Sequence, residues 1–190
     1  MKTQYYTASS LDGFIATEDH SLEWLFPLVD LEATSYPTFV AEVGVLAMGS
    51  STYEWLLRHV VKVGTPEETV WPYSQPAWIF SSRNRVAPAE ADIQFVQGDV
   101  RPVHAQMRAI AGSKNIWIVG GGDLAGQFFD AKLLDEVIVQ IGSVTLGSGK
   151  PLFPRRVSGP ILRLKSVQYY GEGMVELRYE VNTHNQSSTT

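Results

Sequence analysis

Three times along this chain a short apolar run gives way to small or polar residues and then to a helical pattern, and no other feature narrows the fold as much. Val43–Met48 runs into Gly49-Ser50, Ile93–Val96 precedes a helical stretch at Val100–Ala111 closed by Gly112, and Asn115–Val119 ends on Gly120-Gly121-Gly122. Short continuous apolar runs suit strands buried on both faces, as parallel strands are. Helices between them supply the crossovers that parallel neighbours need. After Gly49, Ser50 or Ser51 can cap a helix to Val61, because Tyr53, Leu56, Leu57 and Val60 recur at helical spacing. A further helix follows the glycines, from about Asp123 to Lys132, and another spans Thr38–Glu42 with Pro37 at its first turn.

The remaining segments fit the same scheme. Gln4–Ala8, Phe14–Ala16, Ala77–Phe80 and Glu136–Ile141 read as strands, with an Asp12-Gly13 turn between the first two. Val63–Gln75 and Gly147–Pro151 read as loops. Leu162–Tyr170 and Val175–Val181 alternate around Gly171-Glu172-Gly173 as an antiparallel hairpin, so the sheet is mixed. Residues 1–181 are expected to form one α/β domain, with 182–190 a disordered polar tail.

Composition removes several function classes. The net charge of −5 comes from interspersed acids and bases, unlike the clustered positive field of a nucleic-acid surface. The chain has no cysteine, which excludes disulfides, thiolate nucleophiles and cysteine-ligated zinc. His20, His59, His104 and His184 are scattered without a metal-ligand spacing, so surface or loop roles are expected and no metal. No Gly-x-Ser-x-Gly elbow points to a hydrolase. The N-terminus reads as a strand rather than a leader, and no apolar run approaches the ~20 residues of a membrane span. A cytoplasmic protein without membrane or nucleic-acid partners is expected.

The residues that can carry chemistry sit where strands end. Gly120-Gly121-Gly122 brings a helix start, with unpaired N–H groups and no Cβ atoms, to the end of a buried strand. That is either a tight turn or a cradle for an anion such as pyrophosphate. Gly49-Ser50-Ser51-Thr52 and Ser81-Ser82-Arg83 have the same character. Ligands of open α/β sheets bind beyond the carboxyl ends of strands, so the three turns can line one crevice around an extended phosphate-bearing ligand. Gly147-Ser148-Gly149-Lys150 offers N–H groups, a hydroxyl and a cation, without Walker spacing.

Taken together, Ser10-Leu11-Asp12-Gly13, Met48-Gly49-x-x-Thr52-Tyr53-Glu54, Ile79-Phe80-Ser81-Ser82, Val119-Gly120-Gly121-Gly122 and Leu146-Gly147-x-Gly149-x-Pro151-Leu152-Phe153 resemble the dihydrofolate-reductase-like superfamily. More narrowly, the chain is similar to stand-alone relatives of the reductase domain of the bifunctional riboflavin-biosynthesis enzyme. The resemblance implies a three-layer fold, with helices on both faces of a mixed, mainly parallel eight-stranded sheet. It also implies NADPH, a homodimer, and hydride transfer to a small heterocyclic substrate, 5-amino-6-(5-phosphoribosylamino)uracil in the reference reaction. By the same resemblance Gly49, Ser50, Ser51 and Thr52 meet the cofactor phosphates, and Ser81 and Ser82 lie near the adenosine ribose. Gly120, Gly121, Gly122, Asp123 and Leu124 would hold the pyrophosphate, with Ile15 and Ala16 flanking the nicotinamide in a loop that ends at Trp24, itself expected to meet the substrate. The loop Gly147–Lys150 would close over the substrate, where a substrate phosphate fits.

Two residues depart from the family pattern: Ser50 replaces an arginine, and Asp123 stands where dihydrofolate reductases often place a base. Both remove cations from the adenosine end, so NADH is the alternative to NADPH unless Arg83 or Arg85 compensates. Asp12 could orient or protonate the substrate, or simply form its turn. Asp30 is near the position of a pterin-binding carboxylate, with a helix surface as its other reading. A dihydropterin substrate and a catalytically diverged binding protein are the alternative functions. Deamination, the partner activity of the riboflavin enzyme, is excluded because the His-x-Glu and Pro-Cys-x-x-Cys signature is missing.

Overall fold

A computed structural model describes residues 1–28, 30–83 and 86–182. Arg85, His184 and all of the expected tail but Asn182 lie outside them. The strands are β1 (Thr3–Ser10), β2 (Phe14–Ala16), β3 (Val43–Gly49), β4 (Ala77–Phe80), β5 (Ile93–Val96), β6 (Asn115–Gly120), β7 (Glu136–Gly142), β8 (Lys150–Pro151), β9 (Leu162–Tyr170) and β10 (Met174–Val181). The helices are α1 (Tyr36–Ala41), α2 (Ser50–Leu56), α3 (Val100–Ala111) and α4 (Gly122–Asp130).

Eight strands form one sheet in the order β5-β4-β3-β6-β1-β7-β10-β9. β1, β3, β4, β5, β6 and β7 run parallel, and β10 and β9 close that edge antiparallel. Burial follows the pattern: Leu46, Ala47, Ile116 and Ile118 in central strands are 0% exposed, which accounts for their continuous apolar runs. On one face α3 and α4 bury Met107, Leu124 and Phe128 against Tyr5, Val45, Trp78 and Ile118. On the other, α1 and α2 bury Phe39, Tyr53 and Leu56 against Tyr6, Leu46, Ile79 and Trp117. This is the three-layer, mixed and mainly parallel architecture that the dihydrofolate-reductase-like resemblance implies.

Local differences have identifiable causes. The cap of α2 is Gly49, with no side-chain cap bond, so Ser50 and Ser51 lie inside the first turn rather than before it. The helix expected to reach Val61 widens into a π-type turn at Leu57–Val61 and ends where Lys62 turns left-handed. Gly147–Pro151 is not wholly loop, since Lys150–Pro151 is the strand β8 and pairs with β2 in a separate two-stranded sheet. His104 is buried, not superficial. Its Nε2 lies 2.8 Å from Thr3 Oγ1 and its ring meets Phe128 edge-on, so burial holds its pKa below the ordinary value. Among the described residues no helix is long and apolar enough to cross a membrane, and no group of three His, Asp or Glu side chains could hold a metal ion.

Candidate functional site

The parallel strands deliver their carboxyl ends to one side of the sheet, and a cleft of about 430 Å³ opens there. Small-molecule sites have this scale. Gly49, Ser50, Ser51 and Thr52 at the start of α2 form one wall, and Gly120, Gly121, Gly122, Asp123 and Leu124 at the start of α4 form another. The walls meet: Thr52 Oγ1 lies 2.9 Å from where a side chain on residue 120 would begin. The Gly120–Gly121 peptide is cis. Neither helix start has a side-chain cap, so its N–H groups lack that partner.

Adjacent glycines do different work here. A Cβ on Gly121 would meet nothing nearer than Ile15 Cδ1 at 3.9 Å, on the side where Ile15 lines the cleft. A Cβ on Gly122 would sit 2.4 and 2.3 Å from the carbonyl oxygens of Pro151 and Leu152. Gly122 therefore lets β8 lie against α4, while bare backbone at Gly121 faces the cavity.

Over the opposite side run β2 and β8. Ile15 and Ala16 line the cleft from β2, and Lys150 and Pro151 from β8. Gly149 permits the contact, because a Cβ there would sit 2.2 Å from the Ala16 carbonyl oxygen. Leu152 N–H donates to Gly13 O at 2.9 Å, and Leu11 N–H donates to Val144 O at 2.7 Å. The two segments are stitched into one flap.

Asp12 belongs to that stitching. Its carboxylate accepts from Ser10 Oγ at 2.6 Å, Leu146 N–H at 3.1 Å and Gly147 N–H at 2.7 Å. The Ser10 hydroxyl, and then the two amides, hold its pKa below the usual carboxylate value. Asp12 is not in the cleft lining. Asp30 is exposed and caps a short 3-10 turn at Leu31–Ala33 by accepting from Glu32 N–H at 3.1 Å, also away from the cleft. The structure thus gives both expected carboxylates structural bonds and places neither in the cleft lining. Trp24 packs with Leu28 at Gly142 rather than in the lining.

Phe80 at the end of β4 reaches the cleft, whereas Ser81, Ser82 and Arg83 lie just beyond it. Ser81 Oγ accepts from Arg83 N–H at 3.1 Å, closing that turn on itself. Gly147, Ser148 and Gly149 approach through the flap, and only Lys150 of that loop enters the lining. Thr7, His20, Leu22, Trp55, Val119, Gln127 and Pro154 also line the cleft, and sequence reasoning gave none of them a site role, although Val119 stood in the glycine motif. Val119 had a signal, since it lies next to the carboxyl end of a parallel strand, and Thr7 a weaker one, in the carboxyl half of β1. His20 did not, because its polar loop has no periodicity. Burial, then the charges of Lys150 and Arg58, hold its pKa below the ordinary value. Asp123 accepts from Gln127 Nε2 at 2.9 Å and from Arg155 Nη1 at 3.0 Å.

A two-walled cradle on an eight-stranded mixed sheet has counterparts. Residues 2–176 match the family model of the RibD C-terminal domain. The chain belongs to the RibD C-terminal domain family. Relatives within reach of sequence comparison include the uncharacterized protein YwjB of Bacillus subtilis, 35% identical over 178 residues, which cover 94% of this chain and 97% of that protein. YyaP of the same organism is 25% identical over 179 residues, covering 92% of each. Among solved structures, a protein from Shewanella sp. PV-4 described as a putative riboflavin biosynthesis protein superposes with TM-score 0.78 at 25% identity, covering 95% of this chain and 99% of that one. Dihydrofolate reductase from Enterococcus faecalis, complexed with NADP(H) and RAB-propyl, superposes with TM-score 0.63 at 14% identity, covering 95% and 96%. At that identity the likeness is one of fold. This RibD C-terminal domain shares its architecture with both.

Proposed function

We propose that this protein is a nicotinamide-dinucleotide-dependent reductase, with NADPH as the dinucleotide and a phosphoribosylamino-uracil type of heterocycle as substrate. The observation that carries the reading is the pair of helix starts, Gly49–Thr52 and Gly120–Leu124, opening on one cleft with Gly121 bare at its wall. A dinucleotide pyrophosphate fits a place where backbone N–H groups, the hydroxyls of Ser51 and Thr52 and a missing Cβ converge. The reduced nicotinamide, when bound, supplies the hydride. Ile15 and Ala16 on the flap would then cover it and exclude water, and Lys150 and His20 would face the substrate's phosphate at the flap side.

The uracil substrate is favoured over a dihydropterin by the position of Asp30. Its carboxylate caps a turn outside the cleft and offers a pterin ring no acceptor. Family membership and the riboflavin-related neighbour support the same direction. A cytoplasmic setting and a homodimer are part of the proposal.

Thermal melting with NADPH and NADH separately tests it. A ligand at ~100 times its dissociation constant adds about 2.7 kcal/mol of stability, so a rise in Tm of several degrees is expected with NADPH. No rise with either dinucleotide would overturn the reading. Turnover of the phosphoribosylamino-uracil, compared with dihydrofolate, then tests the substrate.

A further inference from the structure

Asp123 raises a difficulty for any dinucleotide held at α4. It is an acid in the first turn of that helix and in the cleft lining, beside the place where two anionic phosphates would rest. Like charges that close weaken binding even when partly solvated.

Arg155, from the segment after β8, answers that charge. Its Nη1 donates to Asp123 Oδ1 at 3.0 Å, its Nε to Asp130 Oδ2 at 2.7 Å, and Nη1 also to Pro154 O at 2.9 Å. The guanidinium therefore bridges the first and last turns of α4. It can do so because Gly126 leaves the helix surface open, where a Cβ would sit 2.6 Å from Arg155 Cζ. Gly122 and Gly126, one turn apart, form a channel along α4 in which the β8 carbonyls and then this side chain lie. Arg155 is largely covered, with 23% of its side chain exposed, whereas Asp123 is 69% exposed toward solvent and cleft.

We infer that Arg155 is a positioning residue for dinucleotide binding. It offsets the charge of Asp123 and turns its carboxylate along the helix, so that the start of α4 accepts a pyrophosphate. The inference rests on the reading of the cleft as a dinucleotide site, and it assigns a role to a residue outside the cleft lining.

A double-mutant cycle with NADPH as the probe tests it, by fluorescence titration of the full chain at low and high salt. Arg155→Met keeps the aliphatic stem and removes the charge; at low salt it is expected to weaken NADPH binding roughly fivefold, the scale of one partly exposed ion pair. High salt should shrink the loss. Asp123→Asn alone removes the opposing charge and is expected to bind NADPH more tightly than the unmodified protein does. Combining Asp123→Asn with Arg155→Met should restore affinity to within about twofold. A purely packing role on Gly126 predicts no such rescue, so a double variant as weak as Arg155→Met would overturn the inference while leaving the dinucleotide reading intact. An unmodified protein that fails to bind NADPH or NADH would overturn both. Melting curves of the four proteins confirm that each is folded.

Discussion

Gly121 and Gly122 are neighbours with opposite obligations, and substitutions separate them. At Gly122 a methyl group must displace the backbone carbonyls of Pro151 and Leu152, which are held by the β2–β8 pairing and cannot swing aside like a side chain. Gly122→Ala is therefore expected to cost about 1–3 kcal/mol of stability, the range for an overpacked site, and to lower Tm without any ligand present. At Gly121 the new atoms would enter the cleft instead. Gly121→Val should remain folded and lose most of the dinucleotide-dependent rise in Tm. A Gly121→Val protein that still responds fully to NADPH would mean that the pyrophosphate lies elsewhere.

At the scale of elements, one carboxylate adds a side-chain clamp to the backbone bonds that hold the flap. Asp12 joins the β1–β2 turn to the segment before β8 through the amides of Leu146 and Gly147, and its ionised form accepts from them more strongly than the protonated one. Its folded pKa is depressed, so the clamp's contribution is present above the unfolded carboxyl value and is lost as pH falls through the lower folded one. Asp12→Ala should shift the Leu146 and Gly147 amide resonances at neutral pH and leave those of β3 and β6 in place. The unmodified protein should show the same loosening only in strong acid, below the ordinary carboxyl range. Amide resonances that ignore the substitution would remove Asp12 from this role. The flap also marks the limit of what sequence reveals. Val43–Met48, Ala77–Phe80 and Val100–Ala111 were legible because burial dictates their residue types over whole elements. β8 was not, because two residues, one of them a proline without an N–H, carry no periodicity. The glycine turns were legible as a group, as helix starts beyond strand ends. The bonds from Arg155 to Asp123 and Asp130 were not, because they span 32 and 25 positions and leave no local pattern.

For the whole molecule, the sheet is unequal at its two ends. The cleft lies over β4, β3, β6 and β1, and three strands further on β9 forms the edge with seven consecutive exposed residues, Arg163–Tyr169. Its apolar side chains are not scattered. Leu164, Val167 and Tyr169, exposed by 50%, 46% and 78%, stand opposite Tyr179, Leu177 and Val175 of β10, which makes one apolar strip along the hairpin. An edge of nine residues runs roughly 30 Å, and its outward N–H and C=O groups form a template for another strand. A second copy satisfies both features at once, because two β9 strands pair antiparallel about a two-fold axis and each meets its own complement. The proposed homodimer is therefore expected through β9, with sedimentation equilibrium giving twice the 21.1 kDa of the chain. Val167→Glu puts like charges close to the axis and should return the protein to a single chain. Because the edge is three strands from β1, the dissociated variant should keep its Tm response to NADPH. Dimers that survive Val167→Glu would place the interface on another face, and an unmodified chain sedimenting at 21.1 kDa would leave β9 as an edge guarded only by its charges, Arg163 and Lys165.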